Sequence, residues 1–231
     1  MNETTATDII AELRAASTPL ELPKIRKRLA YEEDAFGLRM RDLFDIAKSH
    51  TALPLDQVNR LLDHDAYEPR MAAFCIVDFK SRQRLDHEKR RALFELYLER
   101  HDRITTWDMV DRAAPHVVGR YLVGRSTGPL HDLATSDDPL RKRTAITAPL
   151  YFIKNGTDDK LADGFTLAAS LAANPDPIVH KAVGIFLKHA GTRDQAQLVE
   201  FLNEHAAEMS RPALRLAVEK LSPDDKARYV G

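Results

Sequence analysis

Cysteine is almost absent: Cys75 is the only one in 231 residues. An intramolecular disulfide is therefore impossible, and a cysteine-rich zinc site cannot form. Cys75 lies in the run Ala72-Ala73-Phe74-Cys75-Ile76-Val77, which predicts a small buried hydrophobe rather than a reactive thiol. No apolar run approaches the roughly 20 residues of a membrane-spanning helix. The N-terminal stretch MNETTATDIIAELRAA has neither a basic start nor an apolar centre, so no secretory signal is expected and the chain reads as cytoplasmic. No charge sign dominates: 34 Lys plus Arg face 35 Asp plus Glu. That balance gives no global support for nucleic-acid binding. A polyanion would have to meet positive charge segregated onto one face. Alternating Val/Ile/Thr runs are missing too, so strands are not expected. Asn155-Gly156 and Asp163-Gly164 join no such runs and read as helix ends or turns.

What is present is helical. Apolar residues at 44% and charged residues at 30% match an ordinary globular balance. Helical spacing is clear in Ile9, Ile10 and Leu13, in Leu43, Ile46 and Ala47, and in Leu93, Phe94, Tyr97 and Leu98. Pro54, Pro69, Pro139, Pro177 and Pro212 sit where first helical turns would begin, a position that tolerates the missing N–H. About a dozen helices joined by short turns are expected.

A weak internal repeat runs through them. Glu68-Pro69, Asp138-Pro139 and Asp176-Pro177 each pair an acid with proline, then carry basic residues, then turn apolar. Pro139 and Pro177 are 38 residues apart, and Pro69 and Pro139 are 70 apart, about twice that. Helix pairs repeating at roughly 40 residues mark HEAT-type solenoids. The expectation is an all-α, HEAT-like solenoid forming one curved domain over residues 1–231. The missing unit should begin near residue 106, with Trp107 in the proline position. The residue four further on is then Asp111, equivalent to Arg143 after Pro139 and Lys181 after Pro177. Stacked repeats would place these three in a row on one surface.

The segment Trp107-Asp108-Met109-Val110-Asp111, followed by Val117-Val118-Gly119, resembles the W-D-x-V-D…V-G core of AlkD-type DNA alkylation repair glycosylases. Arg143-Thr144-Ala145-Ile146 resembles that family's R-T-A-I stretch. Further matches are Phe36-Gly37-Leu38-Arg39-Met40-Arg41-Asp42-Leu43 and Lys181-Ala182-Val183-Gly184. The likeness extends from about residue 25 to about 210. It implies that Asp111 is the catalytic carboxylate and that Trp107 lies against the lesion deoxyribose. It implies also that Arg143 holds the DNA backbone, and that the substrate is an N3- or N7-alkylated purine. Two positions depart from the pattern: Ile185 stands where well-known members have an aromatic, and Tyr151 stands where they have a lysine. The aromatic enclosure of the lesion is therefore expected to be incomplete.

The chemistry follows independently. An N3- or N7-alkylated purine is cationic and leaves without protonation. Positive charge then moves onto the sugar, where a carboxylate and an indole face can stabilise it. Candidate phosphate contacts are Arg39, Arg41, Arg141, Lys142, Lys181 and Lys188, with Tyr31 as an aromatic on an early helix. His116, His180 and His189 lack paired metal-ligand spacing, so neither a metal nor another cofactor is expected. The expected partner is double-stranded DNA carrying alkylated purines, met by a monomer associated with the nucleoid. The alternative from another class is a catalytically silent scaffold that binds DNA or a protein through the same face.

Overall fold

Acidic-proline starts become helix N-termini where the acid can turn back onto the helix. In the computed structural model, which describes residues 4–30 and 33–230, Asp138 accepts the Leu140 N–H and Asp176 the Ile178 N–H, both at 2.8 Å. Pro139 and Pro177 follow as first helical residues. Glu68-Pro69 behaves differently. The helix there begins at Tyr67, Pro69 is its third residue, and Glu68 turns away to a loop. Two of the three acidic-proline pairs are thus N-terminal caps, and the third is an anchor.

The fold is all-α, with no strand among the described residues. The chain divides into two compact units, Met1–Ala113 and Ala114–Gly231. In the first, α1 (Ala6–Ala15), α2 (Leu22–Arg26), α3 (Met40–Ser49), α4 (Leu55–Leu62), α5 (Tyr67–Arg82) and α6 (His87–Glu99) lead to α7 (Trp107–Ala114). Helix α5 is the axis of this unit. It is buried on nearly every side, from Tyr67 through Asp78, as a helix with no solvent face must be. It packs against α1, α3 and α4. The buried charges on it are compensated: Arg70 pairs with Glu33, and Asp78 with Arg82 and Arg112.

The second unit opens with a π-turn, Pro115–Gly119. Helices α8 (Arg120–Leu122), α9 (Gly128–Ala134), α10 (Pro139–Thr147), α11 (Phe152–Asn155), α12 (Asp158–Leu171) and α13 (Pro177–Ala190) follow. After them come α14 (Gln195–His205), α15 (Arg211–Ala217) and α16 (Pro223–Val230). Helix α13 is the counterpart of α5 and packs against α10, α12 and α15. Two glycines of the sequence motifs prove to be packing points. A Cβ on Gly119 would lie 2.1 Å from the Ala148 carbonyl oxygen, and one on Gly184 would lie 2.5 Å from that of Ala213. Backbone atoms cannot yield as a flexible side chain would. Gly184→Ala is therefore expected to push α13 off α15 and cost about 1–3 kcal/mol, read as a lower urea midpoint.

A period of about one repeat recurs in the arginines that close helix ends. Arg103 donates to the carbonyls of Leu62, Asp63 and His64, which lie 41, 40 and 39 residues earlier, at the end of α4. Arg193 does the same for Phe152, Ile153 and Gly156, at separations of 41, 40 and 37, at the end of α11. Unfilled carbonyls at helix C-termini need donors. Each guanidinium supplies several from the following repeat, so these arginines are occupied structurally.

Cys75 is fully buried on α5, and burial pushes its thiol up to about 12. The thiolate is the reactive form. Native protein at pH 8 is expected to leave iodoacetamide unreacted over hours, with one equivalent taken up once urea unfolds the chain. Rapid native labelling, followed by mass spectrometry, would contradict this placement.

Candidate functional site

Helix α7 begins at Trp107, as α10 begins at Pro139 and α13 at Pro177. Asp111, Arg143 and Lys181 are therefore each the fifth residue of their helices, the equivalence expected from the spacing. Their environments differ. Asp111 is half-buried, Arg143 is buried at 4% exposure, and Lys181 is exposed. One Arg143 guanidinium nitrogen donates to the carbonyl of Ile178, in the first turn of α13. The basic run Arg141-Lys142-Arg143, expected to meet the DNA backbone, thus turns its third member inward.

Trp107 keeps 41% of its surface exposed. Among the described residues the only other exposed large apolar side chain is Leu20. Tryptophan is highly buried on average, whereas this one stands partly in water at a helix start. Asp111 lies four residues on, one turn along the same helix face. Pro115, four residues further, has no N–H to offer the carbonyl of Asp111, and the chain widens there into the π-turn.

The start of α7 is fixed by Asp108, which is 9% exposed. Its carboxylate accepts from Arg28 Nη1 at 2.7 Å, from the Tyr67 hydroxyl at 2.8 Å and from the Thr106 hydroxyl. Burial, reinforced by the neighbouring Asp108 charge, pushes the Tyr67 phenol well above its ordinary range, so it stays a donor. Partial burial works against the Arg28 charge, but Asp108 and Tyr67 outweigh it and hold that guanidinium above its usual value. Arg112, beside Asp111, is sandwiched between the Phe44 and Phe79 rings, 4.4 Å from each centroid. It meets buried Asp78 at 2.9 Å, an ion pair by distance rather than an aligned hydrogen bond. Both flanks of α7 are thereby pinned to α3, α5 and the turn after α2, and the helix cannot rotate freely. Sequence reading singled out Trp107 and Asp111 but missed Arg28, Tyr67 and Thr106. Only Asp108, inside the W-D motif, was a signal.

The remaining candidates spread over both units. Arg39 sits 3.7 Å from Glu21, and Arg41, at 90% side-chain exposure, 3.9 Å from Asp45. Arg141 lies 3.9 Å from Asp138 on α10, beside half-exposed Lys142. Lys188 is tied to Glu219 at 2.6 Å. Tyr31 lies outside the described residues. Ile185 is half-buried, while its neighbour Phe186 is core and packs edge-on against Phe165. Tyr151 is half-buried against the His116 ring.

The family model described as DNA alkylation repair enzyme matches residues 9–221. No curated protein matches the chain. Among solved structures, a predicted DNA alkylation repair enzyme from Enterococcus faecalis is similar, with a TM-score of 0.66 at 15% identity. The likeness covers 90% of this chain and 97% of that one, and at such identity it speaks for a common fold. With the family match spanning nearly the whole sequence, this chain belongs to the DNA alkylation repair enzyme family.

Proposed function

We propose that this protein is a DNA glycosylase that hydrolyses the N-glycosyl bond of N3- and N7-alkylated purines in double-stranded DNA. The observation that carries the reading is the half-exposed Trp107 ring one turn before Asp111, on a helix pinned from both flanks. In this reading the deoxyribose of the lesion rests on the indole. As the cationic base departs, the sugar takes on oxocarbenium character. A carboxylate about 4 Å away stabilises that charge by about 4 kcal/mol at an effective dielectric near 20, and the indole face adds roughly 0.5–2 kcal/mol. The Asp111 carboxylate also orients or deprotonates the attacking water.

These gains suit a leaving group that needs no proton and are too small for a neutral base. Arg39, Arg41, Arg141, Lys142, Lys181 and Lys188 are assigned to phosphates. Arg143 is assigned to ordering the start of α13 through Ile178, which leaves Arg141 and Lys142 as the phosphate-facing members of their run. The test is release of free base from methylated duplex DNA, followed by chromatography. 7-Methylguanine and 3-methyladenine should appear well above spontaneous depurination, with little hypoxanthine from an inosine-containing duplex. DNA binding without any base release would make the protein a silent scaffold.

A further inference from the structure

We propose that Arg28 is a phosphate contact of this same site, presenting its guanidinium to the strand whose sugar rests on Trp107. The inference rests on the DNA-binding reading of α7. Arg28 belongs to the run Lys24-Ile25-Arg26-Lys27-Arg28, which in the sequence looks like any solvated basic cluster. The structure singles it out. Its Nη1 is fixed 2.7 Å from Oδ2 of Asp108, the residue next to Trp107. The Arg28 side chain keeps 28% of its surface exposed, against 11% for Asp108. An approaching strand would meet the guanidinium before the carboxylate.

A guanidinium carries five N–H donors. Among the described residues Arg28 uses one on Asp108 and has the Tyr67 hydroxyl beside it. Beyond these two groups, no partner of the Arg28 guanidinium is found among the described residues. The Asp108 oxygens, in contrast, are engaged by Tyr67 and Thr106 as well as by Arg28. The planar fork of arginine matches two phosphate oxygens, and a held fork loses less entropy on binding than a largely exposed one such as that of Arg41, whose side chain is 90% exposed. Phosphate contacts set the register of a strand. A cation anchored on the residue that follows Trp107 would help set which sugar lies on that ring.

The experiment is fluorescence anisotropy of a duplex containing a tetrahydrofuran abasic analogue, from 50 to 200 mM salt. Wild type, Arg28→Ala, Arg28→Lys and Asp108→Asn are compared, with thermal melts confirming that each is folded. Losing one phosphate contact should lower the slope of log affinity against log salt by about 0.9. Arg28→Ala is expected to show that reduction and to bind about 5- to 30-fold more weakly at low salt. Arg28→Lys should keep the slope with a smaller loss, and Asp108→Asn, which leaves the guanidinium in place but held less firmly, should reduce it less than Arg28→Ala does. If Arg28→Ala leaves the slope unchanged, Arg28 merely braces α7 and the proposal falls. Wild type that fails to bind the duplex overturns it as well. Wild type that binds with the expected slopes but releases no base leaves the Arg28 assignment standing and removes only the glycosylase chemistry.

Discussion

Replacing Asp111 with asparagine is expected to slow release of 7-methylguanine about a thousandfold while leaving duplex binding intact. Asparagine keeps the shape of the side chain and its place on α7. What it removes is the negative charge, whose attraction for a sugar cation about 4 Å away is worth about 4 kcal/mol at an effective dielectric near 20. That difference corresponds to roughly three powers of ten in rate. Asp111 is half-buried, so water screens it less than a surface carboxylate but more than a core one, and this intermediate dielectric suits it. Removing a negative group from the path of phosphates should leave affinity equal or slightly higher. The pairing of lost turnover with retained binding separates chemistry from folding. A variant that releases base within about threefold of wild type would show that the charge does not act on the transition state.

Glu68→Ala is expected to be the most damaging single change outside that site. The carboxylate is fully buried. It accepts the backbone N–H groups of Phe36 at 2.8 Å, Gly37 at 2.7 Å and Leu38 at 3.3 Å. The same loop is tied again by the Tyr67 N–H to the Asp34 carbonyl at 2.8 Å. Hydrogen bonds to an ionised group contribute about 1.5–3 kcal/mol each, and buried donors left without partners cost about 1–3 kcal/mol each. Alanine would strand at least the Gly37 and Leu38 amides, for a total near 3–5 kcal/mol. That is a large part of the roughly 5–15 kcal/mol that keeps a domain folded. A fall in melting temperature of about 10 °C or more is expected by circular dichroism. Glu68→Gln, which keeps one acceptor oxygen but loses the charge, should fall between. A melt of Glu68→Ala within about 2 °C of wild type would mean that water replaces the carboxylate without loss.

The local signals in the chain were sufficient for some of this architecture. Spacing of Leu43, Ile46 and Ala47 places them on the buried side of α3, because a 3.6-residue period dictates the face. Asp138-Pro139 and Asp176-Pro177 mark helix starts, because cap and proline act within a few residues of themselves. The fifth-residue equivalence of Asp111, Arg143 and Lys181 came from counting alone. The exposure of those three could not be counted. Whether a charged side chain faces water, a phosphate or a carbonyl depends on groups far along the chain, as Arg143 depends on Ile178 and Arg28 on Asp108.

The amino-acid sequence by itself determined the helices, their repeat length and the acid one turn after the tryptophan, since each is a matter of local periodicity and short-range hydrogen bonding. The tertiary structure alone decided which cations remain for a ligand. Arg103 and Arg193 are consumed by helix ends about 40 residues away, Arg112 by Asp78 and two rings, and Arg28 is held by Asp108, a carboxylate 80 residues distant. Charge is a property of the residue, whereas its availability depends on whichever oppositely charged or polar groups the packed helices bring within about 3 Å.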